Sequence, residues 1–399
     1  VTALLMLLVQ EWPQFRGPDG QGHAAATSLP LHWSDTSENV AWNVPVEGLG
    51  WSSPVIARGR VWLTTATEEG RSLRAIGLDA ATGRRLQDAE VFRRDRPGRI
   101  HQKNSHASPT PLWDQDRLYV HFGTYGTASL AADGSVLWRA TLPYEHVHGP
   151  GGSPALVGNA LVICCDGGDT QAVVALSASD GSVRWKTPRE PSTYEKKFAF
   201  CTPLAIEVGG AVQVVCPGAN LVSAHDPRDG RAIWHVRYEE GYSVVPRPVY
   251  GHGLVFVATG FDQPGLLAIR PDGKGDVTDT HVVWRLERGA PLNPSPLLVG
   301  EELYLVSDAG IATCLDARSG KVHWQERLGG NFSASPVHGA GRIYFLDEAG
   351  TTTVIEPGKV FRRLALNRIR GRTLATPAAI DGALFLRTDT HVWRIQAER

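Results

Sequence analysis

The chain has 399 residues, with 40 Lys and Arg against 41 Asp and Glu. That balance excludes a general nucleic-acid or anionic-membrane binder, because both need a surplus of positive charge. With 43 Gly, 26 Pro and a single Met, the composition points to an all-β chain rich in turns.

The opening run, Val1 to Val9, resembles the apolar core of a signal peptide, although it has no basic stretch before it. Residues 1–10 are therefore expected to be a signal-peptide remnant, and the protein to be exported to the periplasm or cell exterior. The run is too short to span a bilayer. Residues 11–37 are Gly- and Pro-rich and predicted irregular. Val40 to Val44 then reads as one isolated strand carrying Trp42.

A repeat begins at residue 51 and extends to the end of the chain. Its opening element is a small residue followed by proline, about seven residues before a β-branched or aromatic run. Pro54, Pro111, Pro154 and Pro203 mark the first four units. Arg247-Pro248 opens the fifth, and Pro296, Pro336 and Pro377 open the last three. The intervals, roughly 40 to 57 residues, are those of propeller blades. The closing element is a Gly turn followed by Trp. It gives Trp138, Trp185, Trp234 and Trp324, with Trp284 closing the fifth unit after an insertion at 271–280. The first unit has Gln87 in the Trp position. One four-stranded sheet of this size cannot bury both faces and needs copies on either side. The eighth opener is followed by chain for only three strands, so the strand at Trp42 is expected to supply the fourth and close the ring. The prediction is a single all-β, eight-bladed propeller over 38–399.

Five cysteines, Cys164, Cys165, Cys201, Cys216 and Cys314, form no zinc-type pair and read as small buried strand residues. On the expected channel-mouth face, the turns before each opener and between second and third strands bring together Lys103, Asn104, His106, His121 and His148. The same face takes Asp166 and Asp169, Lys197, Arg247 and Asn293. Histidines there could bind a metal or move protons. Turn aspartates could hold Ca²⁺ or simply satisfy their own turns. The spacings match no standard metal signature, and no catalytic set can be assigned. The Gly-rich stretch 272–278 is read as a solvated loop.

The stretch Cys314 to Trp324, CLDARSGKVHW, resembles the tryptophan-docking motif of quinoprotein-type propellers, with related copies at 175–185 and 224–234. Together with WPQFRGP (12–18), KNSHASPTP (103–111), CDGGD (165–169), GYSVVPRPVYG (241–251) and RTDTHVWRI (387–395), it makes the chain similar to the PQQ-binding-like repeat family. The likeness is nearest to its planctomycete-type group, and BamB-type assembly factors share the repeat. The resemblance implies Trp side chains packed between blades. It also implies one of two activities. The first is a binding or assembly scaffold in the cell envelope, monomeric, with an envelope or secreted protein or a polymer as partner. The second is a PQQ- and Ca²⁺-dependent oxidoreductase of alcohols or sugars, in which Cys164-Cys165 would match a vicinal disulfide beside the quinone. Trp51, Tyr125 and Tyr242 near the mouth suggest a third, a carbohydrate- or polymer-binding module.

Overall fold

The computed structural model describes residues 10–238 and 240–398. The signal-peptide reading therefore falls almost wholly on residues outside that range. Eight sheets surround a central channel, each meandering outward from an innermost strand. The innermost strands are Val55–Ala57, Leu112–Asp114, Ala155–Val157 and Leu204–Val208 for blades 1 to 4. Blades 5 to 8 begin with Val249–Gly251, Leu297–Val299, Val337–Gly339 and Ala378–Ile380. Each three- to five-residue strand follows its opening proline directly. The proline has no N–H to leave unpaired at the strand start.

Blade 8 is completed from the other end of the chain. Val40–Pro45 pairs antiparallel with His391–Gln396, placing Asn43 opposite Trp393 and Val44 opposite Val392. The innermost strands of blades 8 and 1 then lie in contact, so the ring has no gap.

Blade-to-blade packing explains the Gly…Trp element. The indole N–H of Trp138 donates to the Ala178 carbonyl of the next blade, 3.0 Å away. Trp185 donates to Pro227, Trp284 to Ala317, Trp324 to Gly358 and Trp42 to Ala80 in the same way. A Cβ at Gly181 would come 2.5 Å from the Trp138 ring, and Gly230, Gly320 and Gly83 lie equally close under Trp185, Trp284 and Trp42. Only glycine lets the flat ring lie on the turn, and its positive φ suits the turn itself. Trp234 departs from the pattern. It is fully buried and donates to Gln213 of its own blade. In blade 1, Gln87 lies against Gly134, occupying the place a Trp would fill.

The insertion at 271–280 is not a free loop. Gly275–Asp276 adds a fifth, parallel strand to the outer edge of blade 4. Val277 is buried there, and Asp276 faces His235 and Arg237. The edge of one blade is thereby covered, a device that blunts strand-to-strand association.

Candidate functional site

The Ser/Thr-Pro openers carry a second role that their spacing alone does not reveal. The Ser53 N–H donates to Thr110 Oγ1 at 2.9 Å, Thr110 N–H to Ser153 Oγ at 2.8 Å, and Ser153 N–H to Thr202 Oγ1 at 3.0 Å. The chain of bonds resumes from Arg247 N–H to Ser295, then Ser335, then Thr376. Six of the eight blade junctions are tied in this way by a hydroxyl, and the hydroxyls form a belt around the channel. Two links are missing, at blade 5 and between blades 8 and 1. A buried arginine stands at each. Arg247 replaces the hydroxyl residue and donates to the Pro203 carbonyl. Arg387 donates to the Ser52 carbonyl and hydroxyl.

The far end of the channel is closed by the segment read as irregular. Trp12 forms a bridge with Ile56 of blade 1, and the Pro13 carbonyl accepts from Trp113 N–H of blade 2. Across the ring, Gln21 accepts from Tyr250 N–H of blade 5, Arg16 donates to the Pro296 carbonyl of blade 6, and His23 bridges His338 of blade 7. The segment thus spans the full width of the channel. Arg16 is completely buried, and Phe15 faces the lumen.

The near end is crossed by the long connection from blade 1 to blade 2. The N–H of His101 and the side-chain amide of Asn104 both donate to the His148 carbonyl on the blade 3 side. Lys103 reaches across to Glu348 of blade 7 at 2.8 Å, and Arg372 of blade 8 donates to the Gln102 carbonyl. Glu348 also accepts from Ser333. This strap is held at its far side by the Arg372 bond and one partly buried ion pair, the latter contributing about 1 kcal/mol. Lys103→Ala is therefore expected to speed amide exchange across 99–106 several-fold while shifting the unfolding free energy by less than about 1 kcal/mol. Hydrogen–deuterium exchange with a denaturant titration reads both.

Between floor and strap lies a cavity of about 470 Å³. Its lower wall is the hydroxyl belt. Its upper wall carries Trp51, Phe200, Tyr242 and Phe261 together with His101, His148, Asn293 and Asp308. Outside it, half-buried aromatic rings continue along the rim from blade 3 to blade 5. His148 meets Phe198 at 5.1 Å between centroids, Phe198 meets Tyr242 at 5.2 Å, and Tyr242 meets Tyr194 at 6.4 Å. Lys196 sits 4.6 Å over the Tyr242 ring and pairs with Asp262.

Of the expected site residues, Lys103, Asn104, His148 and Asn293 line this cavity. Asn293 is held by Asp308, which also accepts from Leu292 N–H at 2.7 Å. The others are placed elsewhere. Arg247 is not at the mouth. It is buried against the floor, donating to the Phe15 carbonyl, because it fills a gap in the belt. His121 is buried within blade 2 beside Thr127, and burial pushes its pKa down to about 3. His106 is packed under the Gly70 turn and against Tyr125, and burial lowers its pKa too. His146, beside it, accepts from Thr124 N–H and is lowered to about 4 by burial. Asp169 accepts from Glu145 N–H, tying its turn to the connection that precedes blade 3. Lys197 is half-buried in the rim loop and is not part of the cavity wall.

Asp166 is not free to hold a cation. It is completely enclosed and makes a bidentate pair with Arg189, at 2.6 and 2.7 Å. The remaining Arg189 donors go to the Cys216 and Pro217 carbonyls and to Ser223. Burial pushes the carboxyl up, but a guanidinium with every donor aimed at an acceptor keeps the pair ionic. Cys164 and Cys165 point to opposite faces of their strand. Cys165 packs between blades 2 and 3, and Cys164 between blades 3 and 4. All five cysteines are buried free thiols, so the vicinal disulfide is not formed.

A PQQ site would need cations for three carboxylates and a carboxylate cluster for Ca²⁺. The cavity wall supplies one cation, Lys103, already paired with Glu348, and one carboxylate, Asp308, already bonded. No group of three or more His, Cys, Asp or Glu side chains is placed to hold a metal among the described residues. The residues present do not fit PQQ with Ca²⁺.

The family model for outer membrane protein assembly factor BamB matches residues 30–148, 127–215 and 273–360. No curated protein matches the sequence. Among solved structures, BamB from Moraxella catarrhalis superposes with a TM-score of 0.63 at 13% identity, covering 90% of this chain and 99% of that one. The quinohemoprotein alcohol dehydrogenase from Comamonas testosteroni gives 0.68 at 10% identity, covering 98% of this chain and 81% of that one. The computationally designed Ika8 protein gives 0.63 at 11% identity, with coverages of 88% and 98%. At these identities the likeness is one of fold alone, a PQQ-like β-propeller.

Proposed function

We propose that this chain, which belongs to the family of outer membrane protein assembly factor BamB, is an exported scaffold that binds a protein partner in the cell envelope. The observation that carries this reading is the rim of half-buried aromatics, Tyr194, Phe198, Tyr242 and Phe261, gathered on one face of a rigid ring. Tyr and Phe in such positions supply large contact area at little entropic cost and dominate binding energies. Lys196 and Asp262 flank them and supply polar contacts at the edge of the patch. Among the described residues no helix is long and apolar enough to cross a membrane. The working surface is thus the loop face, and the blades serve to hold it still.

In the producing cell, crosslinking through the rim is expected to yield one dominant envelope protein. Phe198→Ala combined with Tyr194→Ala is expected to weaken that complex at least about tenfold, the effect of losing a small aromatic hot spot. An undiminished complex in the double variant would remove the rim from this role. The oxidoreductase alternative has its own test. Micromolar PQQ binding with Ca²⁺-dependent dye reduction on alcohols or sugars would sink the scaffold reading.

A further inference from the structure

Three features of the cavity bear on what it takes. The first is the direction of its hydroxyls. In the belt, Thr110, Ser153, Thr202, Ser335 and Thr376 each use an oxygen lone pair to accept a main-chain N–H. Their own protons have no acceptor among the described residues, and all five side chains are buried against the lumen. Five O–H donors with no internal partner call for an oxygen-rich ligand or ordered water. The second is the wall above, where Phe200, Tyr242 and Phe261 supply aromatic rings and Asn293 and His148 supply polar groups. The third is the floor, which makes the channel blind at Phe15.

We propose that the cavity binds the end of a neutral oligosaccharide chain, inserted end-on beneath the strap. Sugar rings offer apolar C–H faces to aromatic side chains and hydroxyls to a donor belt, and the cavity volume falls within the range of small-ligand pockets. The blind floor admits a chain end and excludes the middle of a chain. The lining favours an uncharged ligand, because Lys103 is already paired with Glu348 and the Asp308 carboxylate is already taken up by Leu292 N–H and the Asn293 side chain. An acidic glycan is the competing chemistry. Arg16, Arg247 and Arg387 lie behind the belt without carboxylate partners among the described residues, but they donate to main-chain carbonyls and none lines the cavity. This site shares Tyr242 and Phe261 with the partner-binding rim but not Tyr194 and Phe198, and its failure would leave that reading standing.

The test is calorimetric titration of the full chain with maltohexaose, cellohexaose and hexa-N-acetylchitohexaose. Cyclomaltohexaose is the control without an end, and hexagalacturonate is the acidic arm. At least one linear neutral hexaose is expected to bind one-to-one with Kd below about 1 mM, and the cyclic sugar not to bind. Phe261→Ala, on an exposed turn, and Asn293→Ala, at the mouth, are each expected to weaken it about tenfold. Leu366→Ala, exposed on the outer strand of blade 7, is expected to leave it unchanged. Absence of binding by all three neutral chains at about 5 mM overturns the proposal. So does equal binding of the cyclic sugar, preference for hexagalacturonate, or indifference to both cavity variants.

Discussion

Shifting the pH from 7 to 5 is expected to destabilise the propeller by about 5 kcal/mol through its histidines. The cause is a set of histidines enclosed in neutral form. Burial pushes His121 down to about 3 and His146, His225 and His338 down to about 4. In the unfolded chain each titrates near 6.5. Above that pH neither state binds the proton and stability is complete. Below it the unfolded state gains protons that the folded state refuses, so stability falls until the folded pKa is reached. Each group loses about 1.4 kcal/mol per pH unit in that window, so four over about 1.5 units approach 8 kcal/mol. Partial water access at His338 and His146 brings this nearer to 5. Urea unfolding followed by Trp fluorescence at the two pH values measures it. An unchanged midpoint would mean that these rings are hydrated in the folded protein.

Arg189→Met is expected to cost about 3–5 kcal/mol, because it leaves Asp166 charged and enclosed with no partner. The loss extends past the ion pair. Arg189 also ties blade 3 to blade 4 through the Cys216 and Pro217 carbonyls, and both bonds would be lost together. Asp166→Leu with Arg189→Met removes both charges and is expected to recover most of that loss, since an apolar pair needs no compensation. Thermal melts of the single and double variants separate the pair's coupling from its burial. A single variant that melts with the parent would show that Asp166 is already protonated and the pair unimportant.

Fold and site were unequally legible in the sequence, for a physical reason. The repeat is visible because each blade solves the same two problems. Ser or Thr before proline links neighbouring channel walls, and Gly four residues before Trp lets a ring lie on the next blade. Such local solutions recur at fixed spacing. The floor and strap occur once each and act only across the ring, so periodicity is blind to them. Their signals were of another kind. Trp12, Phe15 and Arg16 are bulky residues in a Gly- and Pro-rich stretch that would otherwise be solvated. The interval between Pro54 and Pro111 is the longest in the chain, and its excess is the strap. Arg247 in place of a hydroxyl marked the break in the belt. Arg189 carried no signal, being one arginine after an edge strand, and without it Asp166 read as an available turn carboxylate.

The pairing of Val40–Pro45 with His391–Gln396 also sets an order of events in folding. Nearly the whole chain lies between the partners, so the strand has nothing to pair with until the last blade exists. Closing a loop of this length costs roughly 5 kcal/mol of chain entropy before any contact is made. Blades 1 to 7 find their neighbours within a few dozen residues and can condense early. Trp12 and Pro13 can dock on blades 1 and 2 early, but the floor of the cavity is complete only once blades 5 to 7 exist for Gln21, Arg16 and His23 to reach. A newly made chain therefore passes through an open arc with two unpaired edges and an unplugged channel. That interval, more than the finished ring, is when the protein is exposed to proteases and to pairing with other chains.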